Sequence, residues 1–167
     1  QLARFKREAE VIGDLKHPNI VHLVDYIVED ETPCLVMDYI EGPSLAAYMK
    51  VLHERKQRIP IAVVAQVLRA VASALDYAHS NGIVHRDIKP NNVLVAEYDN
   101  HASPKIIDFG IAKATSQKLT ERTMFTEFGQ VIGTIEYMSP EQAKFNQLDI
   151  DTRSDIYSLG VLLYELL

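Results

Sequence analysis

Cysteine is nearly absent from this 167-residue chain. Cys34 stands alone, so no internal disulfide can form, and its place beside Leu35 and Val36 marks it as an inert buried thiol. Basic charge is in short supply too. The 17 Lys and Arg against 23 Asp and Glu leave a formal net charge of -6, which speaks against a general binder of nucleic acid or anionic membrane, because such surfaces need excess basic side chains. No apolar run approaches membrane-spanning length and no signal-peptide pattern opens the chain. Internal repeats and low-complexity linkers are also missing. What remains, 47% hydrophobic and 24% charged residues, is ordinary globular composition, and a reducing, cytoplasmic setting fits it best. Helix stop signals are lacking at the end "GVLLYELL", and Gln1 already sits inside a helical pattern, so the chain reads as an excerpt from a longer protein.

The patterning predicts alternating elements. Residues 1–16 form a helix with Phe5, Ala9, Ile12 and Leu15 on its apolar side, ended by Pro18. "NIVHLVDYIV" and "PCLVMDYI" read as two strands joined by the acidic turn "EDET". Ser44 caps a short helix running to Val51, and the mixed-sign run "HERKQR" (53–58) is a solvated loop. Pro60 opens a long helix with Ile61, Val64, Leu68, Val71 and Leu75 on one face, and Gly82 follows its end. Short strands "GIVH", "NVLVAE" and "SPKIID" come next, with "YDNHA" as a hairpin connection. Residues 111–138 lack a period and are rich in Thr, the mark of a long functional loop. "SPEQAK" starts a short helix, and "SDIYSLGVLLYELL" is an apolar helix expected in the interior.

Within this frame "IVHRDIKPNNVLV" (83–95) crowds His85, Arg86, Asp87 and Lys89 between apolar runs. Polar groups held at a rigid strand end can converge on a ligand. A carboxylate at Asp87 can accept a hydroxyl proton, and the Lys89 ammonium can offset phosphate charge. Asn92 offers a neutral oxygen, and Asp108, in "IIDFG", an anionic one. That is the incomplete oxygen ligation Mg²⁺ accepts when substrate phosphates complete its shell. The two strands flanking "YDNHA" would bring Asn92 and Asp108 together, a geometry for phosphoryl transfer.

These residues resemble those of the eukaryotic-type protein kinases, with motif wording closer to the bacterial Ser/Thr members than to animal ones. "HRDIKPNN" is similar to the catalytic loop, "DFG" (108–110) to the metal-binding turn and "SPE" (139–141) to the end of the activation segment. The resemblance covers essentially the whole chain. It implies an α+β, two-lobed fold truncated at both ends: residues 1–40 are the part of the N-lobe from helix C to the hinge, and 41–167 the C-lobe up to its central helix. By resemblance, Asp87 is the catalytic base, Lys89 touches the transferring phosphate, and Asn92 and Asp108 hold Mg²⁺ on ATP. Glu8 matches the helix-C glutamate that pairs with a strand lysine. Met37 matches the gatekeeper behind the adenine, with the backbone of Asp38 and Ile40 bonding its edge. His85 and Phe109, with Ile12 and Leu23, align with the apolar spine between lobes, and Asp155 anchors it.

The resemblance further implies a protein Ser/Thr substrate, from Lys89 and from Thr134 in "GTIEYMSPE", whose hydroxyl would bridge base and lysine. Arg86 would stay poorly paired until an anion arrives, which points to autophosphorylation at Thr126, with Thr123 second. Three departures stand out: no Gly-rich loop or Val-Ala-Ile-Lys strand, no Arg to meet Glu141, and longer "YDNHA" and "KFNQLDIDTR" stretches. Residues 1–167 alone are therefore expected to be poorly soluble and catalytically incompetent. A pseudokinase scaffold shares the fold but conflicts with the intact Asp87, Asn92 and Asp108. A small-molecule phosphotransferase should lack Lys89 and the "GTIEYMSPE" platform.

Overall fold

The computed structural model describes residues 2–30, 32–98, 101–109, 135–143 and 150–167. Helix α1, Leu2–Gly13, buries Phe5 and Ala9 and half-buries Ile12, with Leu15 buried just beyond its end. It stops three residues short of the expected end at 16, where Gly13 and Asp14 are poor helix formers. It packs on the antiparallel pair β1, Leu23–Glu29, and β2, Thr32–Met37, whose register runs from Leu23 opposite Met37 to Glu29 opposite Thr32. β1 begins later than "NIVHLVDYIV" suggested because residues before it serve another partner. Ile20 bridges Ile106, the Val21 N–H donates to the Ile106 carbonyl at 2.9 Å, and the Ile106 N–H donates to Asn19 O at 2.8 Å. β2 stops at Met37, so Asp38 to Ile40 carry no regular structure. Cys34 is only half-buried, its thiol 3.7 Å from the Thr32 carbonyl, which corrects the expectation of a buried thiol.

After Ile40 the chain runs close against a second ladder. A Cβ on Gly42 would sit 2.2 Å from the Val95 carbonyl oxygen, and the Val95 N–H donates to Pro43 O at 2.9 Å, so only glycine allows this approach. The Ser44 hydroxyl caps α2 by accepting from the Ala47 N–H at 3.2 Å. α2 runs Leu45–Glu54, three residues past Val51, and residues 53–58 are exposed as expected of a solvated stretch. Helix α3, Ile61–Ser80, buries Val64, Val67, Val71, Ala74, Leu75 and Ala78, whereas Ile61, expected on that face, is 67% exposed in the first turn. By length and apolarity alone α3 could cross a membrane, contrary to the expectation that no such run exists, but its apolar stripe forms the centre of the core. Its end is a Schellman motif: the Ile83 N–H reaches Ala78 O and the Gly82 N–H reaches His79 O, each at 2.9 Å, with Gly82 at φ +74°.

The expected strand "GIVH" does not form; residues 83–88 are irregular. The backbone donors of His85, Arg86 and Asp87 turn to side chains instead of a neighbouring strand. A 3₁₀ turn, Pro90–Asn92, leads into β3, Val93–Tyr98, which pairs antiparallel with β4, His101–Ile106. Pairing reaches Tyr98 opposite His101, so three of the five residues in "YDNHA" belong to strands. Of the long Thr-rich stretch 111–138, the described residues hold a 3₁₀ turn at Ile135–Tyr137 and Met138. Helix α4, Pro140–Ala143, follows, and then α5, Thr152–Leu166, capped by the Asp151 carboxylate, which accepts from the Arg153 N–H at 2.9 Å. α5 packs on α3, yet it is not wholly interior: Ser154, Asp155, Ser158, Leu162 and Leu166 are buried, while Ile156, Tyr157 and Tyr164 are exposed. The buried stripe is polar in its first half because it supports the site.

Candidate active site

Four described non-glycine residues have positive φ; Asp30 and Lys56 lie in exposed turns, and the other two flank the site. Arg86 and Asp108 adopt left-handed φ values of +68° and +57°, each costing about 1–2 kcal/mol for a residue with a Cβ. Such strain persists only where surroundings over-determine it, and it concentrates at functional positions.

The surroundings of Arg86 supply that determination. Asp155, in the first turn of α5 and fully buried, accepts from the His85 N–H at 2.8 Å and from the Arg86 N–H at 2.7 Å. His79 Nε2, on α3, meets the same carboxylate at 2.8 Å. The fully buried His85 ring carries the segment onward. Its Nδ1 accepts from the Asp87 N–H at 3.2 Å, which leaves the proton on Nε2 to donate to the Ile107 carbonyl at 3.0 Å. Burial holds the imidazole below its ordinary pKa; the Asp155 carboxylate, the Ile107 carbonyl and the carboxylates of Asp87 and Asp108 oppose this with less effect. His85 is thus a neutral structural connector between the loop and the end of β4. Its ring lies against Phe109, centroids 4.6 Å apart, and Ile12 packs on the same apolar cluster. Leu23, expected in that spine, is buried but sits over Gly13 and outside the cluster.

Asp87 is half-buried, and two donors hold its Oδ2: the Lys89 ammonium at 3.0 Å and the Asn92 amide nitrogen at 3.0 Å. The same Asn92 nitrogen donates to the Asp87 carbonyl at 2.8 Å. With its NH₂ so engaged, the buried Asn92 amide presents its oxygen as an acceptor. The Asn92 backbone carbonyl accepts from the Ile107 N–H at 3.0 Å, which brings the residue before Asp108 against Asn92. Asp108 follows at the end of β4 with an exposed carboxylate. The backbone bond from Ile107 to Asn92 thus sets the residue that carries one anionic oxygen donor, Asp108, next in sequence to the contact with a neutral one, Asn92, which itself bonds the Asp87 carboxylate. A hard cation that keeps open positions for phosphate oxygens fits this donor set. Among the described residues no cluster of three His, Cys, Asp or Glu competes as a metal site.

Other expected positions fall around this centre with mixed outcomes. Glu8 is half-buried on α1, which packs on β1 and β2. Met37 is half-buried at the end of β2, opposite Leu23. The Asp38 N–H donates to the His22 carbonyl at 3.0 Å and is not available to a ligand, and Ile40 lies two residues on. Arg86 is not without a partner, so the expectation of a poorly paired cation is not met. Thr123, Thr126 and Thr134, together with Gly110, lie outside the described residues.

Two anchors went unread in the sequence. Glu141, expected to want an arginine, accepts from the buried Ser154 hydroxyl at 2.6 Å, and this bond holds its carboxyl below the usual range. Gln142 caps its own helix, its Oε1 accepting from the Ser139 N–H at 3.0 Å, while its Nε2 donates to the Arg86 carbonyl at 2.9 Å. The S-x-x-Q spacing of a capping box was the available signal for the first of these bonds.

The site is thus a carboxylate in an irregular loop, clamped by a lysine and an asparagine, with a second carboxylate just past β4, on an α+β scaffold. The protein kinase domain family matches residues 1–167, and the chain belongs to that family. It is 39% identical over 168 residues to the probable serine/threonine-protein kinase PknB of Lactococcus lactis, covering 99% of this chain and 24% of that protein. It is 40% identical over 169 residues to the serine/threonine-protein kinase PrkC of Bacillus subtilis, again covering 99% of this chain and 24% of the relative. The crystal structure of the Mycobacterium tuberculosis PknI kinase domain is similar to it with a TM-score of 0.75 at 29% identity, over 99% of this chain and 56% of that one. The chain thus spans about a quarter of the length of these curated relatives.

Proposed function

We propose that the protein is a serine/threonine protein kinase that transfers the γ-phosphoryl group of ATP to Ser or Thr hydroxyls of protein substrates. The observation that carries this reading is the carboxylate of Asp87, held at Oδ2 by Lys89 and Asn92, each at 3.0 Å. A carboxylate fixed in this way orients a substrate hydroxyl and takes up its proton as the oxygen attacks phosphorus. Lys89, beside it, offsets charge on the phosphate being transferred. Asn92 Oδ1 and the Asp108 carboxylate would hold Mg²⁺, which when bound neutralises the nucleotide phosphates. Met37, the Asp38 carbonyl and the backbone of Ile40 would receive the adenine. The lobe boundary near residues 40 and 41 belongs to the same reading, as does a cytoplasmic setting for this part of the protein.

The test is transfer of labelled phosphate from ATP to a generic protein by the full-length protein, set against its Asp87→Asn variant. A fall of about 10²–10⁴-fold is expected, the usual contribution of a positioned general base. Equal transfer by the two proteins would sink the assignment. Activation by phosphate on Thr126, with Thr123 second, extends the proposal, because an added charge of about -1.5 to -2 can order a loop against a basic residue. Mass spectrometry of the active protein should find phosphate there, and two unmodified threonines would remove this part.

A further inference from the structure

We propose that Gln142 is a positioning residue for phosphoryl transfer, tying the end of the activation segment to the catalytic loop through the Arg86 carbonyl. The inference rests on the kinase reading and adds a residue to it. Its side chain does two different jobs at once. Oε1 accepts from the Ser139 N–H at 3.0 Å and so closes the first turn of α4, while Nε2 donates to Arg86 O at 2.9 Å. Only a side-chain amide of this length offers an acceptor and a donor on one rigid plane.

The receiving carbonyl belongs to the strained residue. Arg86 sits at φ +68°, and its two backbone polar groups are held from opposite sides: the N–H by Asp155 Oδ1 at 2.7 Å, the carbonyl by Gln142. The Arg86 carbonyl is part of the peptide unit that ends at the Asp87 nitrogen. Pinning that plane fixes the direction in which the Asp87 carboxylate leaves the backbone, which the His85 Nδ1 contact at 3.2 Å assists. Asp155 comes from α5, in the body of the fold. Gln142 comes from α4, which follows the segment that resembles the peptide platform. Withdrawal of α4 therefore removes one of the two clamps on the residue preceding the base, and the left-handed strain is then free to relax. Geometry at the platform and geometry at the base are coupled through one hydrogen bond.

Gln142→Glu separates the two jobs. A carboxylate is nearly isosteric and still accepts from Ser139, and it suits a helix N-terminus, but it cannot donate to a carbonyl. In the full-length protein kcat should fall about tenfold with KM for ATP unchanged, the size expected when one buried-side acceptor loses its donor. The ratio of variant to wild-type kcat should rise as pH falls toward the carboxyl pKa of about 4.3, because the introduced carboxyl group regains a donor once protonated. A helix-capping role alone would not move this ratio. Amide exchange at Arg86 and Asp87 should be faster in Gln142→Glu, a readout independent of turnover. Wild-type protein without any transfer would refute the kinase reading and leave the exchange result to judge the clamp. Unchanged exchange together with wild-type kcat, or a kcat ratio flat with pH, would overturn the role of Gln142.

Discussion

The catalytic segment 83–92 and the hairpin β1–β2 satisfy their backbones in opposite ways. The hairpin pairs with itself over adjacent residues, and Val24, Ile27, Val28 and Val36 remain exposed around it. The segment 83–92 forms no ladder; the His85 and Arg86 N–H groups go to Asp155, 70 and 69 residues away, and the Asn92 carbonyl accepts from Ile107. Local pairing makes a strand without saying where its side chains must point in the molecule. Long-range bonds to buried side chains place each peptide plane individually, which is what the proposed base and metal ligands would require. The contrast also explains why the irregular segment is the better buried of the two, with His85 and Ile88 fully enclosed.

The strongest way to break this contrast is to remove the shared anchor. Asp155→Ala leaves the N–H groups of His85 and Arg86 and the His79 ring without their common acceptor in a fully buried place. Loss of one partner from a buried, hydrogen-bonded charge costs about 3–5 kcal/mol. Urea denaturation of the full-length protein should show a loss of that size. A loss below about 1 kcal/mol, within the range of an average substitution, would mean that the loop does not depend on α5.

Acid should expose the same region next. The folded state holds the His85 pKa below its ordinary value, chiefly by burial, so below about pH 6.5 the unfolded chain binds a proton that the folded chain refuses. Stability therefore falls as pH drops from about 6.5 toward the lowered folded pKa, and is insensitive to this group above that range. His85→Gln, which keeps a donor and an acceptor, should lower stability at neutral pH yet show a flatter decline on acidification. Thermal unfolding of both proteins across this window measures it, and parallel pH profiles would show that the ring titrates freely.

Much of the site was legible in the sequence, and the reasons differ by residue. Asp87, Asn92 and Asp108 carry narrow chemistry at fixed intervals, and the structure bonds Asn92 to Asp87 and to Ile107, the residue before Asp108. α3 was readable because its apolar residues recur at helical spacing and Gly82 supplies the positive φ of its cap. "GIVH" misled because β-branched residues beside a turn look like a strand, whereas the Gly82 and Ile83 N–H groups close the end of α3 on His79 and Ala78 and the His85 N–H goes to Asp155, 70 residues away. The polar stripe of α5 was hidden in the same way. Ser154 and Ser158 look like surface residues in sequence, but they bond Glu141 and the Tyr137 carbonyl inside the fold. Gln142 was passed over because a capping box reads as a helix start, and its second bond crosses 56 residues.

The smallest expected effect sharpens the contrast from the hairpin side. Ile27 lies in the middle of β1 opposite Cys34 and is 45% exposed, so much of its side chain already meets water. Replacing it with Thr keeps a β-branched residue suited to a strand and removes little buried apolar surface. Substitutions at such places usually stay within about 0.5 kcal/mol, several times less than the cost expected at Asp155. Urea denaturation of Ile27→Thr in the full-length protein gives the comparison directly. A loss above about 1.5 kcal/mol, the range for burying a whole aliphatic side chain, would mean that another surface covers this face of the hairpin. In that case the hairpin, like the catalytic segment, would owe its position to distant partners, and the difference drawn between the two regions would disappear.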